Sequence, residues 1–292
     1  MIQRKDMILG LSLVAVILVI CLGAFLILVS GMFDDLDVSG KRIAVIEITG
    51  MIISPKGVVE KLERYIRNDD IPAIVIRLNT PGGGVSATQE IFETVKKARH
   101  AGKKVIASMG TVAASGGYYI AAACDTVMAN PGTITGSIGV IATFPNFTEL
   151  YRKIGIDYNV IKSGKFKDTG SSSREMTDEE RAYLDGLIMD TYEQFLLAVS
   201  QERNLSLDFV RNIAEGKIFT GRQALEQDLI DLLGTYQDAV DLAGVLVGLG
   251  ENPPVLKETR GVFWEIITDG MTDIISKGFE FKFTNISYML AY

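Results

Sequence analysis

Val105-Ile106-Ala107-Ser108-Met109, Gly110-Thr111-Val112-Ala113-Ala114-Ser115-Gly116-Gly117-Tyr118-Tyr119 and Ile120-Ala121-Ala122-Ala123-Cys124 follow one another without a break. An apolar run, a turn of small residues and an alanine-rich stretch predict a strand, a tight turn and a buried helix over 115–124. The turn carries one hydroxyl, Ser115, at the start of the helix. Unpaired backbone N–H groups and the helix dipole favour negative charge there. Acyl transfer needs this combination, a nucleophile beside donors that hold the oxyanion of a tetrahedral intermediate. The same residues also suit a plain Ser N-cap in close Gly/Ala packing.

Upstream, Ala73-Ile74-Val75-Ile76-Arg77-Leu78-Asn79 reads as a buried strand that ends in Thr80-Pro81-Gly82-Gly83-Gly84. Ser86 is expected to cap the next helix, which carries Ile91, Val95 and Ala98 on one face and Gly102 beyond its end. Consecutive glycines at a strand end let backbone N–H groups approach a ligand closely. They offer a second oxyanion donor beside the N–H of Gly116, or simply a tight strand-to-helix turn. Strand signals at 43–48, 73–79, 104–109, 126–129 and 156–161 alternate with helical signals at 57–68, 86–100, 115–124, 177–203 and 206–215. That alternation predicts an α/β fold with a parallel sheet. Thr177-Asp178-Glu179-Glu180 is a capping box opening the long helix. Its stripe of Leu184, Leu187, Ile188, Tyr192, Phe195 and Val199 is expected to face the core, with a partner surface as the alternative.

The chain has a single histidine, His100, at the end of a predicted helix beside Ala101-Gly102. A two-His zinc motif is therefore impossible, and a Ser-His-Asp arrangement would have to use His100. A lysine is the better base for Ser115, and Ile161-Lys162-Ser163-Gly164-Lys165-Phe166-Lys167-Asp168-Thr169-Gly170 offers candidates. Together with Thr135-Gly136-Ser137-Ile138-Gly139-Val140 and Phe219-Thr220-Gly221-Arg222-Gln223-Ala224-Leu225, these motifs resemble the signal peptide peptidase A family in its short, single-repeat form. That Ser/Lys protease family is related to the Clp protease and crotonase folds. The resemblance runs from about residue 42 to about residue 248.

The resemblance implies a Clp protease/crotonase-like fold of repeated strand-helix units. Carried over position by position, it makes Ser115 the nucleophile and Lys167, rather than Lys165, the general base. Ser137 would orient the lysine amine. Gly83 and Gly116 would hold the oxyanion, with Gly82 as a substitute for Gly83. It also implies catalytic sites built at subunit contacts of a homo-oligomer.

The physical demand on the base can be stated independently. An ordinary lysine near pKa 10.4 is neutral in only about one molecule in 2,500 at pH 7, so catalysis asks for a depression of roughly two to three pH units. Asp168 works against this if its side chain points the same way as that of Lys167. In extended backbone it would face away, and Lys165 would share the face of Lys167.

Met7 through Val29 is almost uninterrupted apolar sequence, long enough to cross a hydrocarbon core of about 30 Å. No Ala-x-Ala site follows before Asp34-Asp35, so the stretch reads as a retained signal anchor. The expected organisation is a short tail at 1–6, a transmembrane anchor at 7–30 and a linker at 31–41. A Ser/Lys protease domain at 42–250 and a helical and apolar tail at 251–292 complete it. Arg4, Lys5 and family resemblance place the N-terminus in the cytoplasm and the catalytic domain outside. The net charge of −7 argues against nucleic acid as a partner. Of the two cysteines, Cys21 falls in the anchor and Cys124 in a buried helix, so no disulfide scaffold is expected. The tail is expected to dock as a helix, or to lay its last residues into a peptide groove as an added strand.

These readings converge on a membrane-anchored serine endopeptidase cutting apolar peptides such as remnant signal peptides, with neither metal nor other cofactor. The alternatives are a crotonase-type acyl-CoA enzyme, which would want a carboxylate near the oxyanion glycines, and a non-catalytic membrane scaffold.

Overall fold

The run Ala73–Ile76 has no accessible surface at all, because the sheet it belongs to is covered on both faces. The computed structural model describes residues 40–257 and 287–289, together with 18–19 and 22–23. In chain order its elements begin with β1 (Ile43–Thr49), α1 (Lys56–Ile66), β2 (Ala73–Thr80), β3 (Gly82–Gly84), α2 (Val85–His100), β4 (Lys104–Ala114), α3 (Gly116–Ala122), β5 (Thr126–Ala129) and β6 (Ile134–Gly136). They continue with α4 (Thr148–Lys153), α5 (Asp178–Arg203), α6 (Leu207–Ile213), β7 (Ile218–Thr220), α7 (Gly221–Glu226), β8 (Leu232–Leu233), α8 (Tyr236–Leu246), β9 (Val255–Lys257) and β10 (Ser287–Met289).

The main sheet runs β7-β6-β4-β2-β1-β9, with β5 also on β4 and β8 on β5. Every pairing is parallel except β6 with β7. Successive residues of a strand face opposite sides, and the two sides pack different helices. Ile46, Ile74, Ile76, Leu78 and Val105 join α1, α2, α3 and the end of α5 in the larger core. Ile43, Val45, Val75, Ile106 and Met128 pack on Ala239, Val240 and Ala243 of α8. Two-sided burial is why these strands read as continuous apolar runs rather than alternating ones. Each buried Ile or Val contributes roughly 1.5–3 kcal/mol.

Three expectations need correction. The segment 156–161 forms no strand: residues 156–162 have no regular structure, and Ile156, Tyr158, Val160 and Ile161 are exposed. Its apolar alternation suits a sheet, but the main sheet ends at β7, β8 and β9 without it. Next, the stripe on α5 is only half a core stripe. Phe195 and Val199 are buried, whereas Leu187 and its neighbours Tyr183 and Met189 are exposed, because α5 leaves the body of the domain toward its N-terminus. Finally, the N-cap of α2 is Gly84, not Ser86, with no side-chain cap. The expected capping box is present on α5, where Thr177 accepts from the Glu180 N–H and Glu180 accepts from the Thr177 N–H.

Within the anchor expected at 7–30, only residues 18–19 and 22–23 are described. These four are helical, with Leu18, Val19 and Leu22 exposed. The rest of that stretch, including Cys21, lies outside the described residues, as does the helical pattern expected at 261–279. Among the described residues no helix is long and apolar enough to cross a membrane. What is described of 251–292 includes two strands, β9 at the sheet edge beside β1 and β10 paired antiparallel with β3.

Candidate active site

Strand β4 is long because it serves two neighbours in turn. Its residues Ile106–Met109 pair with β5, and Val112–Ala114 pair with β6. Against β2 its register jumps, from Leu78 opposite Met109 to Thr80 opposite Ala113. Such a bulge bends a strand and re-aims the residues beyond it. The Asn79 Oδ1 accepts from the Val112 N–H at 3.3 Å and pins the irregular stretch. Ser115 is the first residue past β4.

Ser115 adopts φ 55° and ψ −116°, a strained conformation for a residue with a Cβ, costing on the order of 1–3 kcal/mol. Two bonds hold it there: its N–H donates to the Gly136 carbonyl at 2.8 Å, and its carbonyl accepts from the Tyr119 N–H at 2.8 Å. Its hydroxyl does not cap α3, which removes the plain N-cap reading. The side chain is fully buried, and among the described residues Oγ has no hydrogen-bond partner. A buried hydroxyl without a partner costs about 1–3 kcal/mol, so this turn holds two costs at one residue. The helix behind it is locked down: the Tyr118 hydroxyl donates to the Leu229 carbonyl at 2.9 Å, and burial pushes that phenol well above its ordinary range.

The glycines converge on this serine. A Cβ on Gly116 would sit 2.8 Å from the Thr88 Oγ1 and 3.3 Å from the Gly83 nitrogen, so the two expected oxyanion glycines are in mutual contact. A Cβ on Gly83 would lie 2.1 Å from the Ile52 carbonyl oxygen. Ile52 bonds Gly82 and Gly84, its N–H donating to the Gly82 carbonyl at 2.9 Å and its carbonyl accepting from the Gly84 N–H at 2.8 Å. Backbone polar groups alternate along a strand, so the N–H of Gly83 is turned to the opposite edge, where β10 lies with Tyr288 opposite Gly83. The Gly82 N–H is already used, donating to the Thr80 Oγ1 at 3.1 Å.

Ser137 stands beside Ser115 because Ala114 pairs with Gly136. It is nearly buried, at φ 52°, and its N–H donates to the Lys217 carbonyl at 2.7 Å. Gly82, Gly83, Ser115, Gly116 and Ser137 thus gather at the carboxyl ends of β2, β4 and β6, where open α/β sheets bind ligands. His100 closes the far end of α2, about 22 Å along the helix axis from Val85 at 1.5 Å per residue, and is exposed. The Cys124 thiol is buried, which pushes it far above the range of a reactive thiol.

Lys167 is placed differently. It lies in successive turns, with its N–H donating to the Gly164 carbonyl at 3.1 Å and the Thr169 N–H donating to the Phe166 carbonyl at 3.2 Å. The extended backbone expected here, with Lys165 and Lys167 on one face, is therefore absent. Lys165 pairs instead with Glu179, and Lys162 with Asp168 at 2.5 Å. Lys167 is exposed, and among the described residues no ion pair or hydrogen bond occupies its amine. Within the described chain it does not meet Ser115, whose hydroxyl has no partner.

Sequence reasoning passed over Thr80, Thr88 and Arg174. Thr80 stood inside the quoted Asn-Thr-Pro-Gly-Gly-Gly stretch as a possible signal. Thr88 is buried with its hydroxyl unpartnered beside Gly116. Arg174 clamps the lysine loop, and nothing local marked it.

The family model of peptidase family S49 matches residues 97–250, and that of Clp protease matches residues 56–134. A putative protease of Synechocystis is 46% identical over 210 residues, covering 72% of this chain and 76% of that one. A putative signal peptide peptidase SppA of Enterococcus faecium is 33% identical over 181 residues, 62% of this chain and 53% of its own. A chloroplastic serine protease SPPA of Arabidopsis thaliana is 32% identical over 195 residues, 66% of this chain and 29% of its own. These matches set aside the acyl-CoA enzyme: the chain belongs to peptidase family S49 and is a serine peptidase.

Proposed function

We propose that this peptidase is a membrane-anchored endopeptidase with a Ser115/Lys167 dyad, cleaving apolar peptides such as remnant signal peptides at the membrane. One observation carries the assignment of the nucleophile: Ser115 is held at positive φ with a buried, unpartnered hydroxyl against Gly83 and Gly116. In this reading Ser115 Oγ attacks the scissile carbonyl as the neutral Lys167 amine takes its proton. The N–H groups of Gly83 and Gly116 hold the oxyanion. Lysine then returns the proton to the leaving amine, and water repeats the sequence to release the acyl group. Ser137 orients the lysine amine. Gly82 is the weaker oxyanion candidate, its N–H being occupied by Thr80.

Lys167 is favoured over Lys162 and Lys165 because those two amines are already paired with carboxylates. A lysine acts as a base only where it is desolvated, and a buried serine without a partner among the described residues needs a base brought to it. A neighbouring copy of the chain answers both, so the active form is a homo-oligomer whose contact buries the lysine near a serine. The pairing of Ser287–Met289 with Gly82–Gly84 supports a groove that binds peptide backbone as an added antiparallel strand. The apolar stretch at 7–30 would hold the N-terminus in the cytoplasm and the catalytic domain outside it.

Mass spectrometry of peptides cut by the full chain in detergent, beside Ser115→Ala, tests the reading. Cleavage of apolar peptides by the wild type alone is expected; equal cleavage by the variant would overturn it. Light scattering on the same sample tests the oligomer, which an active monomer would sink.

A further inference from the structure

The lysine loop poses an electrostatic difficulty that the fold resolves. Lys167 precedes Asp168 in the chain, and a bare carboxylate brought near the amine would favour its charged, catalytically useless form. The Asp168 carboxylate is not bare. Arg174 grips it with two parallel bonds, Nε to Oδ2 at 2.9 Å and Nη2 to Oδ1 at 2.8 Å, and Lys162 reaches Oδ1 at 2.5 Å. The same guanidinium binds Glu180, Nη1 to Oε2 at 2.8 Å and Nη2 to Oε1. Glu180 is at once the N3 residue of the α5 capping box and an acceptor for the Thr169 hydroxyl. Lys162, Asp168, Arg174 and Glu180 make a chain of two cations and two anions, joining the loop to the start of α5.

Other groups pack near the loop. Lys165 pairs with Glu179, Phe166 stacks on Tyr183, and Glu175 gives its carbonyl to Arg174. Arg181 shares with Arg174 the cleft lined by Phe144, Gly170 and Ser171. Among the described residues, Lys162, Lys165, Asp168, Arg174 and Glu180 each have an opposite charge in reach, and the Lys167 amine has none.

We propose that Arg174 is the positioning residue of the Lys167 base: it fixes the turn that presents the amine and masks the Asp168 carboxylate that would otherwise keep the amine protonated. This inference rests on the dyad reading above. Hydrogen bonds from Arg174 and then from Lys162 hold the Asp168 carboxyl well below the usual carboxylate range, so its charge is present at every working pH and masking is needed throughout.

The experiment is the pH dependence of kcat/KM on an apolar fluorogenic peptide, for the full chain in detergent. Arg174→Gln should move the acid limb upward by about 0.5–1 pH unit and lower kcat. Adding Asp168→Asn to that variant should bring the limb back toward the wild-type position, a rescue that a merely structural role would not produce. Arg174→Lys keeps the charge but loses the fork, so it should keep the limb and lower kcat. If Arg174→Gln does not fold, Arg174→Lys and the double variant carry the test with those same expectations. An Arg174→Gln profile that superimposes on the wild type after scaling, or an Arg174→Lys limb displaced like that of the glutamine variant, overturns the inference. Lys167→Ala runs alongside. If it stays active, the dyad reading fails; if it is inactive while the arginine variants leave the limb in place, only the role of Arg174 fails.

Discussion

The strand ends that carry Ser115 and the turns that carry Lys167 are built in opposite ways. Around Ser115 everything is close-packed: glycines touch backbone, β6 and α3 fix the serine from both sides, and its side chain has no exposed surface. Around Lys167 the chain is open, with residues 152–165 exposed throughout and order supplied by turns and ion pairs rather than by a core. A buried core can hold a residue at positive φ against a cost of a few kcal/mol. Exposed ion pairs, each worth about 0–1 kcal/mol, cannot. Ser115 is therefore preorganised by its own domain, whereas Lys167, proposed above as its base, would need an added surface to reach a working environment.

The largest expected effect tests whether the two halves act as one unit. Ser115→Ala and Lys167→Ala should each cost about 10³-fold or more in kcat, and the double variant should be no worse than either. Activity surviving in Lys167→Ala but lost in Lys165→Ala would break the comparison by moving the base to another lysine.

A methyl group probes the packing contrast directly. Gly83→Ala would drive a Cβ to 2.1 Å from the Ile52 oxygen, whereas a Cβ on Gly164 meets nothing within 4 Å. Chemical denaturation should show Gly83→Ala destabilised by more than about 2 kcal/mol, and Gly164→Ala changed by less than about 0.5 kcal/mol. Similar values for the two would mean that the serine side is no more tightly determined than the lysine side.

Smaller effects are expected at the groove edge. Since β10 lies on β3, a chain ending at Lys257 should show a several-fold lower KM for short apolar peptides, kcat being retained. An unchanged KM would mean that the tail does not compete with substrate.

The smallest effect concerns acid. Arg174, and then the Thr177 N–H, pull the Glu180 carboxyl down to about 2 from an ordinary 4.5. A carboxyl depressed in the folded state contributes stability that is complete above the unfolded pKa and is lost as pH falls through the folded one. The Tm should therefore fall between about pH 4.5 and 2, less steeply in Glu180→Gln, as followed by circular dichroism. Parallel pH curves for the two proteins would remove the ion cluster from the account of the lysine loop.

Strands β1, β2, β4 and β5 were legible because two-sided burial writes continuous apolar runs, and α5 because its capping box is local chemistry. The short strands β3, β6, β7 and β8 have only two or three residues each, too few for any periodicity. Ile156-Asp157-Tyr158-Asn159-Val160 misled for the converse reason: it has the composition of a strand and no partner strand. At the site, Ser115 and its glycines could be read because backbone geometry demands small residues at particular places. Arg174 could not, since its role depends on a carboxylate six residues back and another six residues on.

By itself, then, the sequence determined the alternating α/β order and the small-residue turn at Ser115, because burial, capping and glycine requirements act over a few neighbouring residues. Only the tertiary structure decided that Ser115 is strained and unpartnered and that Gly83 and Gly116 touch across two strand ends. It also decided that, of the three lysines at 162, 165 and 167, Lys167 alone has an amine without a partner among the described residues. Those outcomes depend on which distant groups reach one another, and pairing between charges or packing between backbones far apart in the chain leaves no period in the sequence.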